Sequence, residues 1–466
     1  MSHQLKSSVR KIASRNPYTG ELFSEIPYIS DAKLEHKIQL SGEAFKKYKT
    51  LSFKERSHKL HCLAHHIEKD VKFYSELIAQ ELGKPIGQCE GEVKKSIEHC
   101  KFYGKNLERF LKTDRVATEA RNSGVMYQPL GSIYLMVPFN FPFWLTFKSG
   151  VPMLAAGNTV LMRGSDSTPT VGDEIEKLFK KAGFDNNEFL SIHSKHDQLD
   201  KILANKHVQG VSFTGSTNTG RNIAKSAGKN LKKAVMELGG SDPFIVSFDA
   251  DLDLAVDQAI KSRLANCGQV CISAKRFIIH SQVYEQFKEK LIEKLESYVV
   301  MGDPLDPKTT VGPMARHDLK EQIHEQVEKA KQQGANLLYQ HPMPENSPSQ
   351  NFYPPAVLEV ENIDNILFQE ETFGPVFALI KVDSDSQAIE IANSSEYGLG
   401  GAIFSKDAKK AEKMALQIET GSIFINEMAK TDSRLPSGGI KSSGFGRECS
   451  SFGIKEFVNV KSFSYK

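Results

Sequence analysis

Between residues 30 and 112, apolar positions recur at helical spacing among charges. In SHKLHCLAHHIEKD, Leu60, Leu63, Ala64 and Ile67 form one stripe, and AKLEHKIQLSGEAFKKYK has the same amphipathic character. These segments predict successive helices with acidic and basic residues on solvated faces. Past Asn122 the pattern changes: strand-length apolar runs, SIYLMV, NTVLMR and VQGVSFTGS, alternate with helical patterns through VGDEIEKLFKKAG and TGRNIAKSAGKNL. A second series follows, with PFIVSF, DLDLAVDQAIKSR, RFIIH and a helix whose Val283, Phe287, Leu291 and Leu295 recur every fourth residue. The alternation predicts an α/β chain of parallel sheets with helices on both faces. The polar, Pro-rich stretch 341–355 predicts a surface loop.

Charge narrows the partners. With 60 Lys and Arg against 57 Asp and Glu, nothing favours nucleic acid or an anionic membrane, so a small-molecule ligand is expected. The longest apolar stretch, SIYLMVPFNFPFWLTF, is broken by Pro138, Asn140 and Pro142 and does not read as a membrane span. MSHQLKSSVRKIASRN has no apolar leader, which predicts a cytoplasmic protein. In that compartment the six scattered cysteines are expected to be thiols. His61 and His65, or Cys62 and His66, lie one turn apart within an amphipathic helix, and no metal site is expected there. Of Cys267 and Cys271, in ANCGQVCISAKR, one is then read as a lone reactive thiol.

VSFTGSTNTGRNIAK has the form strand, glycine turn, helix, which presents free backbone N–H groups to a phosphate. It is no Walker A loop, since Arg221 and Asn222 replace Lys and Ser/Thr, and GxGxxG is absent. Gly215 and Gly220 serve equally well for helix–strand packing. FTGSTNTG, MELGGSDP, NCGQVC, EETFGPV and LPSGGIKSSGFGRE, however, stand in the order and spacing of the aldehyde dehydrogenase superfamily. PFNFP and AAGNTVLMR resemble its upstream segment. The resemblance spans NPYTGE to EFVNVKS, and VPFNFPFW, GQVCISAKRFII, SRLP and GIKEFVNVK are most similar to the succinate-semialdehyde dehydrogenase branch.

The resemblance implies a Rossmann-like cofactor domain (1–111 and 130–239), an α/β catalytic domain (240–441) and a small β oligomerisation module (112–129 and 442–466) joining a homodimer or homotetramer. It implies that Cys271 attacks an aldehyde, that Asn140 and the Cys271 N–H hold the oxyanion, and that Glu237 activates water against a thioester. Cys267 is read as a packing bystander. The apolar neighbours of Glu237 are expected to raise its pKa. For the cofactor, the resemblance implies Pro138, Phe139, Gly215, Ser216, Leu238, Glu371 and Phe373, with Arg163 and Asp166 at the adenosine ribose. Asp166 favours NAD and Arg163 would attract the 2′-phosphate of NADP; NAD is expected, with NADP as the alternative.

On the substrate side, Lys148 stands where this branch has an arginine, and Ala265 where some members have a second one. Lys148 and Arg434 are therefore the expected carboxylate partners, with Trp144 and Ser437 beside them. Phe139 for tryptophan and Ser437 for phenylalanine predict a wider, more polar mouth. The expected reaction is succinic semialdehyde to succinate. The rival readings are another small aliphatic or aromatic aldehyde, a cysteine hydrolase, an acylating dehydrogenase, or a non-catalytic scaffold.

Overall fold

A computed structural model describes residues 10–345 and 347–466. The first nine residues, part of the stretch expected to lack a leader, lie outside the described residues.

A six-stranded sheet runs in the order Gly444–Phe445, Lys233–Glu237, Val208–Thr214, Ser132–Met136, Thr159–Arg163, Phe189–Ser191. All its pairings are parallel except that of Gly444–Phe445 with Lys233–Glu237. The chain runs outward in one direction from Ser132–Met136, then returns to the other side of that strand at Val208–Thr214. This reversal opens a crevice at the strands' carboxyl ends, where ligands of such sheets bind. The segments after Met136, Thr214 and Glu237 all begin there.

The second sheet has seven strands: Asn336–Gln340, Ala356–Glu359, Val376–Val382, Ala274–His280, Asp242–Val246, Ala402–Phe404 and Phe424–Ile425. Only the first pairing is antiparallel. Cys271 precedes one of its central strands, and Glu371 and Phe373 precede the next. The near-continuous burial of Ala274–His280 and Val376–Val382 explains why both read as apolar runs rather than alternations.

Four long helices, Asp31–Tyr48, Phe53–Lys69, Val71–Leu82 and Ile86–Leu111, precede the first sheet. Ser52 and Glu55 form a reciprocal capping box that starts the second. It buries Leu60, Leu63, Ala64 and Ile67, the expected stripe. Gly83, at φ +84°, ends the third helix in a left-handed conformation. The fourth buries polar as well as apolar groups, among them Glu92, Ser96 and His99.

A third sheet is small: Val458–Tyr465 pairs antiparallel with Asn122–Pro129, which pairs with Asp114–Arg115. The expected boundary at 442 differs from this arrangement. Residues 444 and 445 extend the six-stranded sheet, and Phe457 presses on Gly210 within it, so only 458–465 joins the small sheet. Among the described residues, no helix is long and apolar enough to cross a membrane.

Candidate active site

The turn before Cys271 is conformationally costly. Asn266, Cys267 and Gly268 occupy positive φ in succession, at +49°, +55° and +73°. Each non-glycine residue so placed costs on the order of 1–2 kcal/mol, so the surroundings must hold the turn. Asn266 donates its backbone N–H to Gln88 Oε1 (2.7 Å) and its side-chain amide to the Asn140 carbonyl (2.9 Å). Gln269 Nε2 donates to the Asn266 carbonyl at 3.0 Å. A Cβ on Gly268 would lie 2.3 Å from the Gly374 backbone, which excludes any larger residue. Cys271 follows, half-buried, with its carbonyl accepting from Lys275 Nζ at 2.6 Å. Burial pushes the Cys271 thiol up to about 11, against the opposing pull of Lys148 and Lys275.

Asn140 is fixed from both directions. Its carbonyl also accepts from Lys84 Nζ at 3.1 Å, and its side-chain amide donates to the Gln269 carbonyl at 2.9 Å. Lys84 is fully buried and ion-paired with Glu92, whose other oxygen accepts the Phe143 and Trp144 N–H groups at 2.9 Å each. These two N–H groups open the helix Pro142–Ala155, so Glu92 caps it just past Asn140.

Glu237 ends its strand with Oε1 unpartnered among the described residues and Oε2 3.5 Å from Lys148 Nζ. Burial raises its carboxyl to about 7; Lys148 opposes that rise and Glu448 adds to it. Lys148 is correspondingly committed, since its Nζ lies 2.5 Å from Glu448 Oε2. Burial alone would lower the Lys148 ammonium, but the two carboxylates outweigh it and raise its pKa.

One cavity of about 590 Å³ joins these groups. Pro138, Phe139, Asn140, Thr214, Gly215, Ser216, Glu237, Leu238, Cys271, Glu371 and Phe373 all line it. The expected catalytic and cofactor residues are thus brought together, Arg163 and Asp166 excepted. Those two line a neighbouring cavity of about 950 Å³ that shares Arg316 with the first. There Asp166 accepts from Tyr28 Oη (2.6 Å) and Arg163 Nη2 (2.9 Å). A third cavity, about 570 Å³, is lined by Ile272, Arg434 and Ser437.

Three expectations change. Lys148 lines none of these cavities; its ammonium faces Glu237 and Glu448, so it is not free for a substrate carboxylate. Trp144 is buried against His99, ring centroids 5.1 Å apart, and also lies outside the linings. Arg434 is 77 % exposed and clamped by Asp432 through two N–H donors, at 2.9 and 2.6 Å. Cys267 is buried, which lifts its thiol to about 12. Glu448, Lys275, Lys84 and Glu92 are site residues that the sequence reading passed over. A charge interrupting a buried stripe, as Glu92 does, was the available signal.

The first cavity suits a dinucleotide. The helix Thr217–Lys229 begins at it, and the Ser216 side chain caps no helix N–H, so the first-turn donors stay open. A Cβ on Gly239 would come within 2.4 Å of Glu371 Oε2, closing the approach. Gly220, by contrast, is a packing glycine against Leu238. Thr214 Oγ1, Asn140 Oδ1 and Glu237 Oε1 are buried atoms without partners among the described residues, and all three belong to this lining.

Comparison with known proteins decides the family: residues 4–463 match the aldehyde dehydrogenase family. The chain belongs to it. It is 38% identical to the succinate semialdehyde dehydrogenase Sad of Escherichia coli strain K12, named for NAD(P)+, across 96% of each chain. It is 35% identical to the NADP(+) succinate-semialdehyde dehydrogenase of Deinococcus radiodurans, over 97% of this chain and 94% of that one. Among solved structures, Gox0499 superposes with a TM-score of 0.95 at 37% identity, covering 98% of this chain and all of the other. The Streptococcus pyogenes succinic semialdehyde dehydrogenase with NADP+ gives 0.94 at 34%, covering 97% and 99%. The chain is therefore an NAD(P)-dependent aldehyde dehydrogenase, an oxidoreductase that converts an aldehyde to a carboxylic acid.

Proposed function

We propose that this aldehyde dehydrogenase oxidises succinic semialdehyde to succinate through a thioester on Cys271. The observation that carries the reaction is the single cavity holding Cys271, Asn140 and Glu237; the relatives named for succinate semialdehyde support the substrate. A nicotinamide dinucleotide, held by Ser216, Gly239, Glu371 and Phe373, supplies the hydride acceptor when bound.

The chain's own residues do the rest. At neutral pH the half-buried Cys271 is a thiol, so attack requires a proton acceptor, and Glu237, poised near 7, is the buried base in the same cavity. The sulfur adds to the carbonyl carbon, giving a tetrahedral adduct. Its oxyanion is stabilised by the Asn140 amide and the Cys271 backbone N–H. Once hydride has left, Cys271 carries an acyl group as thioester. Glu237 then takes a proton from water, which attacks the acyl carbon and frees the carboxylate. Burial raises the proton affinity of this base, Lys148 draws it down and Glu448 adds to the rise. Cys267 takes no part.

The adenosine end supports both cofactors, with NAD favoured. Asp166 is an acceptor for ribose hydroxyls but is already engaged by Arg163 and Tyr28. In solution we propose a cytoplasmic homodimer or homotetramer joined through Val458–Tyr465. Among the described residues that strand is paired on one side only, and Val460 and Tyr465 are exposed.

The test is initial-rate formation of reduced nicotinamide with succinic semialdehyde, glutaric semialdehyde and butyraldehyde, each with NAD and NADP. A higher kcat/KM for succinic semialdehyde is expected. Equal or better turnover of butyraldehyde would discard the acid-semialdehyde reading while leaving the dehydrogenase.

A further inference from the structure

Lys275 and Arg276 are consecutive buried cations at the start of the strand Ala274–His280. Arg276 donates to backbone carbonyls, those of Ser241 (2.8 Å), Ile391 (2.7 Å) and Ala392 (2.9 Å), and so ties the strand to its neighbours. Lys275 differs. Its Nζ donates to the carbonyls of Val270 (3.1 Å) and Cys271 (2.6 Å) and lies 3.5 Å from Glu371 Oε1, which accounts for all three directions of an ammonium. Burial lowers its pKa, with Glu371, Asp242 and Cys271 opposing and Arg263 adding to the fall.

Two walls of the cavity that holds Cys271 meet at this charge. On the nucleophile side, the carbonyls it grips lie just past the positive-φ turn 266–268, which Gln88 and the Asn140 carbonyl hold at its start. On the cofactor side, Glu371 Oε1 also accepts the Gly240 N–H at 3.2 Å, while Oε2 lies over Gly239. Cys271, Gly239 and Glu371 all line the cavity, and the side chain of Lys275, wholly buried, stands behind them. An uncharged hydroxyl or amide would serve the two carbonyls. Only a carboxylate calls for a cation, and Glu371 is the one within ion-pair distance. An ammonium taken wholly out of water is costly, so packing alone does not explain it.

We propose that Lys275 is a positioning residue whose buried ammonium fixes Glu371 for the hydroxyls of the nicotinamide-side ribose and anchors the Cys271 backbone from the same point. The role rests on Glu371 being the ribose acceptor. Holding the carboxylate in one place before the cofactor arrives spares the ordering cost on binding. The same charge acts on the nucleophile: burial raises the Cys271 pKa, Lys148 and Lys275 oppose that rise, and Glu371 and Glu237 add to it. Removing the Lys275 charge therefore keeps the thiol protonated to higher pH.

The experiment needs no turnover. Calorimetry gives Kd for ADP-ribose, which carries the nicotinamide-side ribose, and for ADP, which lacks it, in the wild-type protein, Lys275→Gln, Lys275→Met and Glu371→Gln. Alkylation of Cys271 by iodoacetamide is followed against pH on the same proteins. The ratio of Kd for ADP to Kd for ADP-ribose is expected to fall about 3- to 10-fold in both Lys275 variants, the worth of one hydrogen bond, with ADP affinity unchanged. Alkylation near pH 8 should slow about 3- to 10-fold, as a thiol pKa raised by about half to one unit requires. Lys275→Gln keeps a donor for the carbonyls and removes only the charge. A ratio that survives both Lys275 variants but collapses in Glu371→Gln overturns the positioning role and leaves the ribose acceptor standing. A ratio unmoved by Glu371→Gln defeats both together. ADP and ADP-ribose weakened alike, or neither Lys275 variant folding, assigns Lys275 to packing and overturns the proposal, and an unchanged alkylation rate overturns the shared anchor.

Discussion

Replacing Lys148 by methionine tests the electrostatics of the general base. The Lys148 ammonium lies 3.5 Å from Glu237 and 2.5 Å from Glu448, and all three side chains are at most 7 % exposed. At 3.5 Å the attraction to Glu237 is about 1 kcal/mol at the dielectric constant of water and about 5 kcal/mol at an effective constant of 20. That range corresponds to roughly 1–3 pKa units. Without the cation, burial and the Glu448 carboxylate, both of which already raise Glu237, are opposed only by the weaker pull of Arg447. A base works only when ionised, so activity is present above its pKa and lost as pH falls through it. In the wild-type enzyme that limb is expected near 7; in Lys148→Met it should move up by at least about one unit. The assay is kcat against pH with stopped-flow separation of the burst of reduced nicotinamide from steady-state turnover. Cys271 feels the same cation, so the burst should move alkaline too. Because Lys148 touches the base rather than the substrate carboxylate, semialdehydes and neutral aldehydes should suffer alike. A limb that moves by less than about half a unit, or a loss confined to semialdehydes, would refute the reasoning. Orphaning two buried carboxylates also costs stability, about 3–5 kcal/mol where they remain ionised, and Lys148→Arg serves as the folded control.

Lys84→Met strands Glu92 in the interior and should lower unfolding free energy by about 3–5 kcal/mol in urea titrations, with kcat falling because the Asn140 carbonyl loses a donor; unchanged stability and rate would deny the pair its role. Asp166→Ser releases the Arg163 guanidinium and removes the carboxylate that repels a 2′-phosphate. The NADP-to-NAD ratio of kcat/KM should rise about tenfold, and a constant ratio would place cofactor choice elsewhere. Cys267→Ala should leave kcat within about threefold and alkylation of Cys271 intact; loss of turnover would end its reading as a bystander.

Much of the fold follows from periodicity, because the period changes where the architecture does. Helical spacing around Leu60, Leu63 and Ile67 gives way to runs such as Thr159–Arg163, whose burial on both faces marks a central parallel strand. The positions of Cys271, Asn140 and Glu237 are legible because each sits in a short motif at the end of such an element. What stayed hidden is charge that points inward. Glu92, Ser96 and His99 fall at i, i+4 and i+7 of one helix beside the apolar Cys89, Val93, Ile97 and Cys100, and only the packing of the helix Pro142–Ala155 across them shows that all three are buried. Lys148 misled for the opposite reason: it stands where a carboxylate-binding arginine is expected, yet Glu448, 300 positions later in the chain, claims its ammonium. Spacing along a chain locates a residue but not the partner that tertiary contact supplies.

The most direct test of the central claim is peptide mapping of the acyl-enzyme. The wild-type enzyme, which keeps Glu237 for both proton transfers, is mixed with succinic semialdehyde and NADP or NAD, acid-quenched within one turnover and digested for tandem mass spectrometry. The account predicts one succinyl group, on the peptide carrying Cys271. A succinyl group on Cys267 or another residue, or reduced nicotinamide formed with no acyl-enzyme at all, would contradict it.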